Sequence, residues 1–471
     1  MRFRAIAIPT IIVFGLGFAS SASGAPQEAP ESSEIRSMLR EASALIPRIE
    51  SGQQSSAVAN IAGQQVRAGD VEGGVATYQA LKSPAARGMS VAVISSAIAA
   101  HGNIPLALEL VRNSTQPGYR ASAYSMIASR LASENSFGDA LVVARLIRKE
   151  PGQVHFFVDS LMWIYNRQWK AGDQPGAENT LNEALDAVEQ ERENSSSVEF
   201  PIAALYFTIA RRLNEAGNRD AAGAMVERIY GIAAAAENPD RKQELVGLLC
   251  SAQVMVGQLQ AAISSAEELP PGQWHDSAMA AISTEWSKQG DTARALEGVA
   301  EINMGSLRNI YYETIAYELA GAGNFAQAFS IIDRVESAGE RAAALVELAG
   351  QQAEKQDPAA AQTLELAMET AQAAGSETKP YVFGYIAVTR AELGDVAGAE
   401  EMINQMEDPA RVWPLWNLTE MLVRAGKKAE AISLAESQSA PHPKAYALLG
   451  TATALLDKQH EASRKIADTT K

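Results

Sequence analysis

A short recurring pattern constrains the fold of this 471-residue chain more than any other feature of its sequence. A glycine is followed by Asp or Asn, and an alanine stands five residues after the glycine. Glycine accepts the left-handed backbone conformation that ends a helix, and Asp or Asn then caps the next helix by accepting a hydrogen bond from a free backbone N–H. The pattern therefore predicts two helices joined by a very short turn.

Twelve units share this turn, and successive turns are 31–45 residues apart. The turn residues are Gly69, Gly102, Asn135, Gly172, Gly217, Gly257, Gly290, Gly323, Gln356, Gly394, Gly426 and Asp457. Five residues later stand Gly74, Ala107, Ala140, Ala177, Ala222, Ala262, Ala295, Ala328, Ala361, Ala399, Ala431 and Ala462. A small side chain at this position lets two helices approach closely. The repetition indicates stacked helix pairs that share one continuous core.

An aliphatic residue precedes every turn by eight positions, from Ile61 in the first unit to Leu449 in the last, and a small residue usually follows it. Units of this length, with a large–small pair on the first helix and Ala on the second, resemble the tetratricopeptide repeat (TPR). The resemblance covers residues 53–465. It implies an all-α fold, an α-α superhelix (solenoid) of about twelve TPR-like helix-turn-helix repeats.

The two ends of the chain differ from the array. Residues 1–24 are typical of a cleavable signal peptide, because Arg2 and Arg4 precede the apolar run Ala5–Phe18 and small residues lead to a cleavage point near Gly24. A retained anchor is the alternative. No lipobox Cys is present, so we expect a periplasmic or secreted protein with no membrane span in the mature chain. Residues 25–52 are interpreted as a linker and N-terminal capping helix, and residues 466–471 as a polar tail.

The net charge and the lack of known catalytic motifs argue against several classes of function. The formal net charge of −16 disfavours a nucleic-acid partner, because phosphate binding needs clustered cations. The single cysteine, Cys250, is expected to be a small buried apolar residue. No nucleophile elbow, P-loop, dinucleotide fingerprint or zinc-type spacing is present, so no catalytic residue, metal or cofactor is expected. His155 and Asp159, four residues apart on a predicted helix, leave a metal-dependent enzyme as a lesser alternative.

A cationic or titratable residue stands fifteen positions before nine of the turns. These residues, here called the basic ladder, are Arg87, Arg120, Lys242, His275, Arg308, Arg341, Lys379, Arg411 and His442. Such a row is able to bind an anionic polymer. We prefer a structural explanation. In it, each cation bonds the last carbonyls of the preceding helix or pairs with nearby carboxylates.

The resemblance implies that the first helix of each unit lines a concave groove. Its candidate binding residues are Asn166, Trp169, Phe207, Arg211 and Asn214 in units four and five, and Tyr317 and Trp416 on a second wall. Aromatic side chains supply anchor area, while amides and Arg bond a peptide backbone. In the competing explanation Trp163, Tyr165 and Tyr206 fill a wider core, with Trp169 partly buried beside them.

These observations predict an exported, non-catalytic scaffold that binds a protein or peptide segment in the groove. A passive structural subunit of an envelope assembly is the alternative. The sequence does not indicate the oligomeric state.

Overall fold

A computed structural model describes residues 30–194, 199–375 and 380–469. The proposed signal peptide, Lys379 of the basic ladder and the last two residues lie outside the described residues. Within the described ranges the regular structure is helical, with 24 α-helices and one short 3-10 turn at Ile46–Arg48. Two compact units are formed. One contains the described residues up to Phe156 and those from Glu407 onward, and the other contains the described residues of Phe157–Met406.

The first unit contains both ends of the array. Its helices are α1 (Pro30–Leu45), α2 (Ser51–Arg67), α3 (Val71–Gln79), α4 (Pro84–Ala100), α5 (Ile104–Arg112), α6 (Pro117–Ser133), α7 (Phe137–Ile147), α22 (Val412–Arg424), α23 (Lys428–Ser437) and α24 (Pro441–Thr469). Helix α8 (Val154–Lys170) begins in this unit and lies mainly in the second one.

The second unit continues the same alternation of helices. Its helices are α9 (Gln174–Asn194), α10 (Glu199–Glu215), α11 (Arg219–Ala235), α12 (Pro239–Met255), α13 (Leu259–Glu267), α14 (Gln273–Lys288), α15 (Thr292–Ala300), α16 (Gly305–Gly321), α17 (Phe325–Ile332), α18 (Ala338–Glu354), α19 (Ala360–Ala374), α20 (Pro380–Glu392) and α21 (Val396–Asn404). The first helix of each pair, from α2 to α22, is called helix A, and the second is called helix B.

Eleven of the twelve predicted turns separate a helix A from a helix B. At all eleven the turn residue has a positive φ, including the two without glycine, Asn135 at 62° and Gln356 at 57°. The following side chain caps helix B as predicted at most turns. Asp70, for example, accepts a hydrogen bond of 3.0 Å from the Gly73 N–H. Asn324 is an exception, because its side chain makes no capping bond.

The core follows the predicted repeat pattern. The aliphatic residues eight positions before the turns are buried in every unit. The small residue on helix B is also buried in ten of the eleven pairs. Gly74 stands there in the first pair, where a Cβ would lie only 2.9 Å from the Ala62 carbonyl oxygen. These contacts confirm that a small residue at this position permits close packing of helices A and B.

Two predictions about this pattern were wrong. Ala361 is exposed, and Ala360 is buried in its place, because α19 begins four residues after its turn residue Gln356, whereas α3 begins two residues after Gly69. Asp457 marks no turn: α24 continues from Pro441 to Thr469, so Ala462 is exposed and the expected second helix of unit twelve does not exist. The same helix includes Ile466–Thr469, most of the expected polar tail.

Helices α1 and α24, the first and last described helices, pack against each other inside the first unit. Helix α24 contacts α22, as a next helix A would, and also contacts α1 and α2. Lys444 pairs with Glu41 at 2.7 Å, and Gln459 donates to Ser32 at 2.8 Å. Early residues of α24 thus meet late residues of α1, so the two helices are antiparallel. Helix α1, expected as an N-terminal cap, occupies the place of the missing helix B.

Candidate functional site

A cluster of charged side chains joins α8 and α10 in the second unit. It consists of Asp159, Arg211, Arg212 and Glu215, and is called the ion cluster. Asp159 accepts a hydrogen bond of 2.9 Å from Arg212 and lies 3.6 Å from Arg211. Glu215 pairs with Arg211 at 3.3 Å and with Arg212 at 3.1 Å. Two carboxylates therefore balance two guanidinium groups.

The members of the ion cluster differ in exposure. The side chains of Asp159, Arg211 and Glu215 are 41%, 40% and 42% exposed, whereas that of Arg212 is only 12% exposed. Arg212 also lies over the Trp163 ring, 5.0 Å from its centroid, and Arg167 lies 5.2 Å from the same ring. The buried guanidinium holds α8 and α10 together, while the three exposed groups remain open to solvent.

Asn166 lies beside the ion cluster and is nearly buried. Its amide nitrogen donates to Glu215 at 3.3 Å, and Arg211 pairs with the same carboxylate, so the structure brings these two candidate residues together. The Asn166 Oδ1 atom is buried and has no hydrogen-bond partner among the described residues. Leaving a buried acceptor without a hydrogen bond costs about 1–3 kcal/mol. This oxygen has almost no solvent exposure, so a ligand N–H recovers that energy only when a neighbouring side chain moves aside.

Aromatic residues near the cluster divide between core and surface. Tyr165 and Tyr206 are buried, as the core explanation predicted, whereas Trp163, the third residue that it named, is half-buried. Trp169 is half-buried and stacks on Tyr165 with ring centroids 5.8 Å apart. Phe207 is half-buried on α10. Trp169 and Phe207 therefore keep part of their apolar area available at the surface.

The remaining candidates are placed differently. Asn214 donates to the Met255 carbonyl at 2.9 Å, a bond that secures the end of α12. Tyr317 on α16 is exposed in the second unit, while Trp416 on α22 is half-buried in the first and packs against Tyr446 at 5.8 Å. The expected second wall is thus divided between the two units.

The two residues of the enzyme alternative have other contacts. Asp159 is held by arginines, as described above, and His155 packs against Phe156 with centroids 4.4 Å apart. Among the described residues no group of three or more His, Cys, Asp or Glu side chains is arranged to hold a metal ion. Cys250 is buried, and burial raises the pKa of its thiol to about 12, as expected of a structural cysteine.

Three arginines of the basic ladder bond backbone carbonyls just beyond the end of the preceding helix B, near the last helical carbonyls that the structural explanation predicted. Arg120 donates to the Ser114 carbonyl at 2.8 Å, Arg308 to the Ile302 carbonyl at 3.0 Å, and Arg341 to the Val335 carbonyl at 2.9 Å. Arg308 also bonds Glu336 at 2.6 Å. Each of these guanidinium groups fixes the segment that connects one helix pair to the next.

Sequence reasoning missed a buried polar pair inside the helix hairpins. Thr77 donates to Gln65 at 2.7 Å in α2 and α3, and Thr180 donates to Gln168 at 2.7 Å in α8 and α9. In both hairpins Gln stands four residues before the turn and Thr eight residues after it. That shared spacing was the signal that could have revealed the pair.

None of the described helices combines the length and apolarity that crossing a bilayer requires. No protein-family model matches the sequence, and no curated protein is similar to it.

Three solved structures align loosely with the chain. Ton1535 from Thermococcus onnurineus NA1 is 16% identical over 77% of this chain and 99% of its own, with a TM-score of 0.32. The pentatricopeptide repeat protein PPR10 from maize is 13% identical over 94% and 68%, with a TM-score of 0.33. The APC/C hetero-tetramer Cut9-Hcn1 is 11% identical over 84% and 93%, with a TM-score of 0.26. Scores this low carry no inference about a ligand. The TPR-like helical-repeat architecture rests on the helix pairs and turns of this chain itself.

Proposed function

We propose that this chain is a non-catalytic scaffold that binds a protein segment beside the ion cluster of α8 and α10. The observation that carries the proposal is the buried Asn166 Oδ1 without a partner, next to three half-exposed charged groups. An extended peptide offers backbone N–H groups to such an acceptor and carbonyls to a guanidinium. Trp169 and Phe207 supply apolar contact area on the same two helices.

The charges of the ion cluster limit which part of a partner binds there. Arg211 already lies between Asp159 and Glu215, so its positive charge is largely balanced within the protein. A C-terminal carboxylate would have to compete with both side chains. An internal, uncharged stretch of backbone fits the site better, and side chains on either side of it would contact the aromatic residues.

Capture of a partner by the mature protein, residues 25–471, tests the proposal. The double variant Trp169→Ala/Arg211→Ala is compared with wild type in an envelope extract after circular dichroism has shown equal helicity. Arg228→Ala/Tyr230→Ala is the matched control, because it removes an exposed arginine and an exposed aromatic residue from α11, a helix B. We expect a discrete partner that the control retains and the double variant loses.

A partner that both variants retain would contradict the proposed site and favour a structural subunit that assembles through other surfaces. If only the double variant loses the partner, the affinity of the purified partner is measured for wild type and for Asn166→Leu, a variant that removes the amide but keeps a similar volume. Affinity should fall at least tenfold, equivalent to about 1.4 kcal/mol. Unchanged affinity would exclude a role for the amide.

Export is part of the same proposal. It is supported by the charged start and apolar run of residues 1–18 and by the small residues before Gly24. Mass spectrometry of protein recovered from a bacterial periplasm should find an N-terminus near Ala25. A cytoplasmic protein that retains Met1 would contradict export.

We also propose that nucleic acid is not the partner, because the net charge of −16 repels phosphates. A labelled single-stranded oligonucleotide should show no change in fluorescence anisotropy at low ionic strength. Tight, salt-dependent binding would be evidence against this part of the proposal.

A further inference from the structure

A second surface of the second unit combines exposed apolar side chains with carboxylates. It consists of Ile310, Glu313 and Tyr317 on α16, Glu347 on α18 and Tyr381 on α20, and is called the acidic face. Ile310, Tyr317 and Tyr381 are 50%, 38% and 37% exposed, and apolar residues grouped in this way on neighbouring helices indicate an interaction surface, whereas single ones do not. Residues 310, 313 and 317 are spaced to share one side of a helix.

The three helices of the acidic face are neighbours. Helix α18 packs against both α16 and α20, and all three are the helix A of their pairs. Tyr381 contacts Tyr385 edge to face, with centroids 5.9 Å apart. Burial raises the pKa of Tyr381, and the charges of Glu313 and Glu340 raise it further, so carboxylates from two other helices act on this phenol.

Positive charge is confined to the first turns of α16 and α18. From Asn309 to Gly321, α16 contains Glu313 and Glu318 but no Lys, Arg or His. From Ala342 to Glu354, α18 contains Glu347 and Glu354 and again no basic residue. Arg308 and Arg341, which come just before these stretches, donate to the carbonyls of Ile302 and Val335. The middle of both helices is therefore negatively charged, whereas Lys355, which follows α18, donates to the Gly321 carbonyl at the end of α16.

We infer that the acidic face binds a basic protein segment that carries apolar residues between its Lys or Arg side chains. Carboxylates attract the cations, and the negative face of an exposed tyrosine ring attracts a cation placed over it. Ile310 and Tyr317 offer apolar area that a purely charged ligand leaves uncovered. This is a site beyond the one proposed above, because it uses other helices and a partner of defined charge.

Fluorescence anisotropy with synthetic peptides tests the inference on the mature chain, residues 25–471. The probe is a labelled peptide that alternates Lys and Leu. One comparison peptide replaces every Lys by Glu, and another replaces every Leu by Ser. We expect the Lys–Leu peptide to bind with an affinity that falls as salt is added, the Lys–Ser peptide to bind at least tenfold more weakly, and the Glu–Leu peptide not to bind.

Two double variants locate the binding. Glu313→Gln/Glu347→Gln removes two charges with almost no change in shape, and Tyr317→Ala/Tyr381→Ala removes the aromatic rings. Glu365→Gln/Glu369→Gln is the charge-matched control, because these exposed residues lie on α19, a helix B. Each test variant should weaken the Lys–Leu peptide at least tenfold, while the control binds like wild type. The Gln variant is informative even if the tyrosine variant fails to fold.

Equal weakening in the control and the Gln variant would overturn the inference, since net charge alone would then explain the binding. Equal affinity for the Glu–Leu peptide would overturn it as well. Spermidine, added as a competitor, should displace the peptide only weakly, and full displacement at a matched charge concentration would identify a polyamine site instead. Trp169→Ala/Arg211→Ala should not change binding of the Lys–Leu peptide, so failure here and failure of the proposed function are distinguishable.

Discussion

Asp276 on α14 joins two consecutive helix pairs through its buried carboxylate. It accepts hydrogen bonds from the Met304 N–H at 2.8 Å, the Asn303 N–H at 3.1 Å and the Asn303 side chain at 3.3 Å. These donors lie in the segment between α15 and α16. Burial alone would raise the pKa of Asp276, but the three donors and the nearby His275 hold that pKa below its ordinary value.

This carboxylate should make stability depend on acidity. A group whose pKa is lower in the folded than in the unfolded state stabilises the protein above the unfolded pKa, and the effect is lost as pH falls through the folded value. Asp276→Asn should therefore reduce the free energy of unfolding by about 2 kcal/mol at neutral pH, because one amide N–H would face a backbone donor. The difference from wild type should shrink below pH 3.8, the ordinary value for this group.

Urea unfolding of both proteins between pH 7 and pH 3 measures the effect. Asp240→Asn is a suitable control, because this exposed residue lies in the first turn of α12, away from the segment that Asp276 fixes. A difference between Asp276→Asn and wild type that did not vary with pH would show that the lost stability comes from packing rather than from the charge. The sequence contained no signal for this role, because the bonded segment lies 27 or 28 residues away.

At the scale of the element, the turns between helices A and B are strained wherever glycine is missing. Gln356 adopts a φ of 57°. The left-handed conformation costs a residue with a Cβ about 1–2 kcal/mol, and glycine avoids this cost. About half of the gain is lost, because glycine has more conformational freedom in the unfolded chain. Gln356→Gly should therefore raise the free energy of unfolding by about 0.5–1 kcal/mol.

Thermal unfolding followed by circular dichroism is the measurement. Gln362→Gly, inside α19 and exposed, is the opposite control and should destabilise by about 1 kcal/mol, because glycine is a poor helix former. A lower melting temperature for Gln356→Gly would mean that the side chain compensates for its backbone strain in some other way.

The arginines of the basic ladder stabilise the connections between helix pairs. Arg341→Gln removes the bond to the Val335 carbonyl, and a shorter amide cannot span the same distance. The loss of a charge-assisted bond of this kind costs about 1.5–3 kcal/mol before solvent exposure reduces it. We expect a lower melting temperature with unchanged binding of the Lys–Leu peptide. Unchanged stability with lost binding would instead assign Arg341 to a ligand site.

The turns and helices were largely predictable because their signals are local. Gly, Asp and a small residue at fixed spacing determine where one helix ends and the next begins, and eleven helix pairs follow them. The error at Ala361 arose where Pro358 follows Asp357 and delays the start of α19. The solvent exposure of Tyr317 and Tyr381 could not be predicted from the sequence, because it depends on how far the neighbouring helix A covers each ring.

At the scale of the whole chain, α1 and α24, the first and last described helices, pack together as a helix pair within the first unit. A repeat pattern describes contacts between neighbours in sequence, so it could not predict bonds between residues nearly four hundred positions apart. Arg67 of α2 and Asp457 of α24 are 390 residues apart and are joined by an ion pair of 2.5 Å. The pattern at Asp457 was misread as a turn because its surroundings match a repeat, whereas α24 has a partner from the other end of the chain.

The ion pair of Arg67 and Asp457 predicts that a substitution in α24 also destabilises α1 and α2. The Arg67 side chain is buried, so Asp457→Asn would leave its charge without the carboxylate, at a cost of about 2 kcal/mol. Hydrogen exchange measured by mass spectrometry should show faster exchange in α24 and also in α1 and α2, with α16–α20 unchanged. Glu430→Gln, whose carboxylate pairs with Lys427 at the exposed start of α23, is the control and should leave all these helices protected. Faster exchange confined to α24 would mean that α1 and α2 fold independently of α24, and that the contacts of α24 with α1 and α2 contribute little to the stability of the first unit.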